Sequence, residues 1–252
     1  MRERSESVLK MGERVDQLYS QSVKIIQSAQ VFSFSLDAVL LADFAMVHRR
    51  SKVVDLCAGN GAVGLFLSAK TTGPIAAVEL QPRLADMAQR SVILNHLQQQ
   101  MTVYQLDLKQ TFTQIAKDSV DVVVCNPPYF PGHTASKKNP NPYLAVARHE
   151  ITTSLAEVLK VASGLLKMNG KAFFVYRPDR LSEFIMKATA LRLQVKRIRF
   201  VYPKAGREAN MVLIELIKDG RPGGQRILPP LTVYDQNNQY LPEVRRLLYG
   251  AG

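Results

Sequence analysis

From residue 52 onward, short apolar runs alternate with longer stretches whose apolar residues recur at helical spacing. Lys52-Val-Val-Asp-Leu-Cys57 has the continuous apolar character of a buried strand, and Ala62 to Lys70 follows as a helix. Ile75-Ala-Ala-Val-Glu-Leu80 is a second strand. Pro82 suits the first turn of the next helix, to about His96, because the N–H it lacks has no helical partner there. Met101 to Leu106 and Val120 to Cys125 are the third and fourth strands. Ser154 to Met168 predicts a helix stopped by Asn169-Gly170, then a strand over Lys171 to Tyr176 and a helix over Asp179 to Arg192. Val195 to Tyr202 and Asn210 to Ile217 close the pattern as two strands joined through Pro203-Lys-Ala-Gly206.

The flanks are less regular. Residues 1–30 scatter apolar positions among charges, which fits short strands or a helix, and Ala38 to Met46 is an apolar helix that Asp37 or Ser35 could cap. Asp219 to Pro230 is rich in Gly and Pro, as in a linker or surface loop, and Leu231 to Gly252 holds a short strand and a possible amphipathic helix. Alternating β and α imply an α/β fold, a mostly parallel sheet with helices on both faces. The final pair of strands inserts one antiparallel strand at its edge. One domain over residues 1–252 is expected, with an N-terminal segment (1–50), a core (51–218) and a tail (219–252).

Composition narrows this only slightly. Of 252 residues 46% are hydrophobic and 21% charged, as in soluble globular proteins. No apolar run approaches membrane-helix length and the polar N-terminus is unlike a signal peptide, so no membrane association and a cytoplasmic location are expected. No Cys/His cluster has zinc spacing, so no metal is expected; Cys57 and Cys125 read as small buried residues whose strand ends could converge. The net charge of +12 changes the picture more, because such a field attracts polyanions, nucleic acid first. Lys196, Arg197, Arg199, Lys204 and Arg207 crowd the last hairpin, and Lys137, Lys138 and Arg148 flank a loop after the fourth strand.

The candidate chemistry sits at strand ends. Asn126-Pro127-Pro128-Tyr129 follows the fourth strand directly. Two prolines must end that strand, and Pro127 keeps Asn126 out of the helical region. The result is an extended amide at the carboxyl edge of a sheet, where α/β folds bind ligands, with an aromatic ring nearby. Such a pair can hold an amino group attached to a flat heterocycle. A stiff turn without function is the competing reading. Asp55-Leu-Cys-Ala-Gly-Asn-Gly-Ala-Val-Gly64 follows the first strand, with Gly59 and Gly61 able to approach a ligand closely. Gly59-x-Gly61-x-x-Gly64 with Glu79 also matches a dinucleotide fingerprint. Asp55, however, would repel a pyrophosphate and suits a cation. S-adenosylmethionine fits better: it carries a sulfonium, an ammonium and ribose hydroxyls for Glu79. Asp107 could cap a helix, but standing in sequence with Asp55, Glu79 and Asn126 at successive strand ends, it is expected to accept from the adenine amino group.

These residues resemble the class I S-adenosylmethionine-dependent methyltransferases of the Asn/Asp-Pro-Pro-Tyr group that methylate amino nitrogens. The similarity is greatest to the bacterial family that methylates N6 of adenine 37 in a valine tRNA. It runs from about Phe32 to the C-terminus and is carried by Ser33 to Asp43, Asp55 to Gly64, Asn126 to Phe130, Ala147-Arg-His-Glu150 and Pro203 to Asn210. The resemblance implies a Rossmann-like sheet and a segment from Phe32 to Leu41 closing over the cofactor, although an ordinary core helix would look the same. The implied cofactor contacts are Phe34 and Asp37 from that segment; Asp55, Ala58, Gly59 and Gly61 from the glycine turn; Glu79 and Leu80, Asp107 and Leu108, and Asn126 from later strand ends. Asn126 and Pro127 would accept from the target amine while Tyr129 stacks on the base. RNA would meet Lys137, Lys138, Lys204 and Arg207. Two alternatives stay open: methylation of a release-factor glutamine, which uses the same amide chemistry, and a non-catalytic RNA-binding module on this fold.

Overall fold

A computed structural model describes residues 9–18, 22–31, 36–128 and 153–250. Among the described residues, eleven strands and six α-helices follow in chain order: β1 (Glu13–Leu18), β2 (Val23–Ser28), α1 (Leu36–Phe44), β3 (Val53–Leu56), α2 (Ala62–Leu67), β4 (Ile75–Glu79), α3 (Pro82–Leu94), β5 (Met101–Gln105), β6 (Val120–Cys125), α4 (Leu155–Leu165), β7 (Leu166–Tyr176), α5 (Leu181–Ala190), β8 (Leu193–Lys204), β9 (Met211–Lys218), β10 (Arg226–Ile227), β11 (Leu231–Tyr234) and α6 (Pro242–Tyr249).

Nine strands make one sheet in the order β10-β8-β9-β7-β6-β3-β4-β5, with β11 also paired to β8. β3, β4, β5, β6 and β7 pair in parallel, and β9 runs antiparallel between β7 and β8. Alternation along each strand divides the core. Val53, Ile75, Val122 and Val124 pack with α1, α2 and Val244 of α6 on one face. Val54, Leu56, Val123 and Cys125 pack with α4 and α5 on the other. The irregular first thirty residues resolve as a β1–β2 hairpin. It lies on α3 through Ile26, Leu84 and Met87 and through Arg90, which reaches the buried Glu13 at 2.6 Å.

Two elements differ from the sequence expectation. The helix expected to run to Met168 ends at Leu165, and β7 starts at Leu166 without an intervening loop. Apolar Leu165, Leu166 and Met168 extend the helical pattern in sequence, but fully buried Leu166 leaves it to pair with Val120 of β6. A register irregularity between Val120 and Val122 takes up Met168 to Gly170, with Asn169 left-handed at φ 60°. The Gly/Pro-rich stretch, expected as linker, contributes β10, and both β10 and β11 run parallel to β8.

The basic side chains of β8 hold this tail in place. Lys196 Nζ donates to the carbonyls of Arg221 (2.6 Å) and Gly223 (2.7 Å). Arg199 donates to the Pro229 carbonyl and pairs with Glu243 at 2.8 Å. Lys204 donates to the Gln236 carbonyl at 3.2 Å. Arg197 pairs with buried Glu215 and lies 4.6 Å over the Phe44 ring. Among the described residues no helix is long and apolar enough to cross a membrane, and no group of three or more His, Cys, Asp and Glu could hold a metal ion.

Candidate active site

Strand register brings the expected chemistry to one edge. Leu56 of β3 faces Val78 of β4 and Cys125 of β6, and Glu79 faces Gln105 of β5. The turn after β3, the end of β4, the start of the segment after β5 and Asn126 therefore follow one another along the carboxyl edge. Adjacent strands lie about 4.8 Å apart, so neighbouring positions can reach one small ligand.

The turn after β3 is built from left-handed residues: Cys57 at φ 55°, Gly59 at 58° and Gly61 at 83°. Its glycines do different work. A Cβ at Gly59 would meet nothing within 4 Å, whereas one at Gly61 would lie 3.1 Å from Ala88 Cβ, and one at Gly64 would lie 2.7 Å from Met101 Cε. Gly59 borders open space; Gly61 and Gly64 permit close packing against α3 and β5. Gly61 therefore also serves packing, since a side chain there would press on Ala88.

Two buried carboxylates brace the turn. Asp55 is 1% exposed, and its Oδ2 accepts from the Gly64 N–H at 2.9 Å. Its Oδ1 is buried with no hydrogen-bond partner among the described residues. Burial pushes this carboxyl up to about 7, with the Gly64 amide opposing the shift and the Glu79 charge adding to it. Asp55 therefore lies beneath the turn. Glu79 accepts from the Gly59 N–H through Oε2 and from the Gln81 N–H through Oε1, each at 2.8 Å. Burial raises its pKa, while the Gln81, Gly59 and Leu80 amides pull it down. Each carboxylate oxygen can accept more than one hydrogen bond, so Glu79 keeps capacity for a ligand hydroxyl.

Asp107 does cap a helix: its Oδ1 accepts from the Lys109 N–H at 2.8 Å, opening the 3₁₀ turn Leu108–Thr113. Oδ2 accepts nothing among the described residues, so capping uses only half of the carboxylate. Leu108 points into the core on the α4 and α5 face, and Leu80 is 38% exposed beside Glu79. Ala58 is buried, and its N–H donates to the Val78 carbonyl. Asp37 stands half-buried in the first turn of α1. Asn126 and Pro128 are half-buried and Pro127 is buried. Phe34, Tyr129, Lys137 and Lys138 fall outside the described residues.

Sequence reasoning missed Asn60. It is 2% exposed and its Nδ2 donates to the Ile26 carbonyl at 3.1 Å, tying the glycine turn to β2. An amide between two glycines was its only signal, because the partner is a backbone atom 34 residues away.

A mostly parallel sheet with one antiparallel strand between β7 and β8, and a glycine turn after its first parallel strand, defines a class I methyltransferase. The solved structures agree on this fold. A predicted O-methyltransferase from Agrobacterium tumefaciens superposes with a TM-score of 0.67 at 22% identity, over 85% of this chain and 96% of that one. P. horikoshii TYW2 in complex with MeSAdo superposes at 0.59 with 14% identity, over 84% and 73%. The chain belongs to the methyltransferase small domain family, whose pattern matches residues 22–199. It is 31% identical to the tRNA1(Val) (adenine(37)-N6)-methyltransferase of Pasteurella multocida over 82% of this chain and 84% of that protein. Against the protein of the same name from Haemophilus influenzae strain PittEE it is 30% identical over 86% and 89%.

Proposed function

We propose that this S-adenosylmethionine-dependent methyltransferase acts on N6 of an adenine in tRNA, through an acceptor pair formed by Asn126 and Pro127. The observation carrying this is the register of Leu56 with Cys125, which sets Asn126 on the strand next to the glycine turn. The 31% identical Pasteurella relative, a tRNA1(Val) (adenine(37)-N6)-methyltransferase, supports the choice of adenine in tRNA.

The residues present fit the cofactor. Bound S-adenosylmethionine supplies a methyl group on a sulfonium. Gly59 leaves room where a side chain would intrude, and the remaining lone pairs of Glu79 suit the ribose hydroxyls. Asp107 Oδ2 suits the adenine amino group, exposed Leu80 offers the adenine an apolar face, and Asp55 lends negative charge beneath a cationic ligand. Phe34, just before α1, and Asp37, in its first turn, complete the set.

An exocyclic amine is a poor nucleophile because its lone pair is delocalised into the ring. The Asn126 side-chain oxygen and the Pro127 carbonyl accept its two N–H bonds, bend the nitrogen toward tetrahedral and aim the lone pair at the methyl carbon. The same two dipoles stabilise the positive charge that grows on nitrogen. Alignment does most of the work, since in-line displacement needs little acid–base help. With S-adenosylmethionine bound, transfer of its methyl group to N6 would release the thioether, and one N6 proton would pass to water. Tyr129 stacks on a base that is extruded or already unpaired.

RNA approaches the same edge, where β8 ends, through Lys204 and Arg207, joined by Lys137 and Lys138. Asn126→Ala should lower single-turnover methylation of tRNA by about 100- to 1,000-fold, in the range seen when one transition-state dipole is removed. Cofactor affinity by equilibrium dialysis should stay near wild type. Unchanged turnover would remove the mechanism. Tritiated cofactor offered total tRNA or release factor decides the acceptor class: label in the protein fraction alone would overturn the adenine reading.

A further inference from the structure

The two cysteines stand at the carboxyl ends of the adjacent strands β3 and β6, beside this site. Leu56 and Cys125 are register partners. Parallel strands lie about 4.8 Å apart and rise about 3.3 Å per residue, which puts the Cα atoms of Cys57 and Cys125 roughly 5.8 Å apart. That is near the middle of the disulfide range of about 4.4–6.8 Å. Alternation alone would send the Cys57 side chain to the opposite face from Cys125. The left-handed backbone at Cys57 breaks the alternation, and both residues pack in the same apolar cluster. Burial raises the Cys125 pKa, and the neighbouring Cys57 thiol adds to that shift. A left-handed conformation strains a residue with a Cβ, which glycine would avoid, yet a thiol occupies the position.

We propose that Cys57 and Cys125 form an oxidisable pair, a disulfide site that a hydroperoxide closes and a thiol reductant reopens. Cys57 is partly exposed and Cys125 fully buried, so Cys57 is the sulfur that meets the oxidant. Its sulfur attacks one oxygen of hydrogen peroxide, the O–O bond breaks, and water leaves with the thiol proton. The Cys125 sulfur then displaces the sulfenic hydroxyl; the S–S bond forms, and a second water carries off the Cys125 proton. Two thiols lose two electrons, and one peroxide gains them. Burial pushes the Cys125 thiol up, so closure is the slower step near neutral pH and quickens as pH rises.

Cys57 directly precedes Ala58-Gly59, and Cys125 directly precedes Asn126. The new bond would tie the glycine turn to the strand holding the acceptor amide. A displacement of about 1 Å at a reacting centre can cost about 100-fold in rate, so a loss of that order is expected on oxidation. This consequence rests on the proposed methyl transfer; the disulfide itself does not.

The test uses the full chain, treated with hydrogen peroxide, then denatured in iodoacetamide and analysed by intact mass and peptide mapping. The expected result is no alkylated cysteine, a mass lower by two hydrogens, one linked peptide pair holding both residues, and turnover restored by dithiothreitol. Two alkylated thiols after peroxide would overturn the site, as would Cys57 carrying two added oxygens beside an alkylated Cys125. A linked pair with undiminished turnover would overturn the switch. If the reduced chain methylates no RNA, the functional reading fails, while the mass measurement still decides the disulfide.

Discussion

The glycine turn after β3 and the basic face of β8 both look like functional surface in sequence, but they use charge in opposite ways. Beneath the turn, Asp55 is buried with one oxygen unbonded, and its pKa is pushed up. Along β8, Lys196, Arg197, Arg199 and Lys204 are bonded to carbonyls and carboxylates of the tail and of β9. Buried polar groups normally find partners. The unbonded Asp55 oxygen therefore suits the proposed ligand site, while the satisfied charges of β8 serve the packing of the tail. Charge density in the sequence does not distinguish the two; hydrogen-bond satisfaction does.

The largest expected effect tests the acid side of this comparison. The folded state holds the Asp55 proton up to about pH 7, whereas the unfolded chain loses it near the ordinary value of 3.8. The folded state thus binds more protons across that window. The stability this contributes is complete below about pH 4 and falls as pH rises to 7, by up to about 4 kcal/mol on linkage arithmetic. Glu79 acts in the same direction. Urea unfolding of the ligand-free chain should show lower stability at pH 8 than at pH 5, and Asp55→Asn should flatten most of that slope. A slope unchanged by the substitution would show that Asp55 is not the group responsible.

Arg197→Ala tests the opposite pole. It leaves Glu215, 3% exposed on its side chain, with only Lys171 at 3.1 Å, and removes the cation over Phe44. Breaking a buried pair costs about 3 kcal/mol or more, and that loss should appear in unfolding curves while turnover per folded molecule is unchanged. A specific loss of RNA affinity without loss of stability would reverse the assignment of Arg197 to structure.

Gly59→Ala separates turn from ligand. Strain at φ 58° should cost about 1 kcal/mol of stability. The added methyl enters open space, and cofactor affinity measured by dialysis should drop about tenfold or more, comparable to over-packing a site by one methyl group. Wild-type affinity would place the cofactor elsewhere.

The smallest effect concerns residues that β8 and its hairpin leave for a partner. Arg207 is exposed, and its replacement by alanine should reduce the salt dependence of RNA binding by about one unit of slope. Lys204→Ala should do less, because its ammonium already holds the Gln236 carbonyl. Equal effects, measured by filter binding over a salt series, would mean that RNA displaces the tail contact.

Much of the parallel core was legible because a two-residue period and a helical period leave different marks. Val120 to Cys125 was bounded correctly, and the other core strands to within a residue or two at most ends. The β1–β2 hairpin was obscured because its apolar face is completed only by α3, so neither strand shows clean alternation. At the site, strand ends and Asn-Pro-Pro could be found from local rules, since proline fixes backbone conformation wherever it falls.

By itself the sequence determined the order of elements, the place where β6 must stop, and the residue types gathered at strand ends. Each of these follows from local stereochemistry and periodicity. Tertiary structure alone decided that helix yields to strand at Leu166, that the tail consumes the charges of β8, that Gly61 packs where Gly59 opens, and that Cys57 packs with the cluster holding Cys125. Those outcomes depend on which partner is within a few ångströms, and partners distant along the chain leave no periodic trace in it.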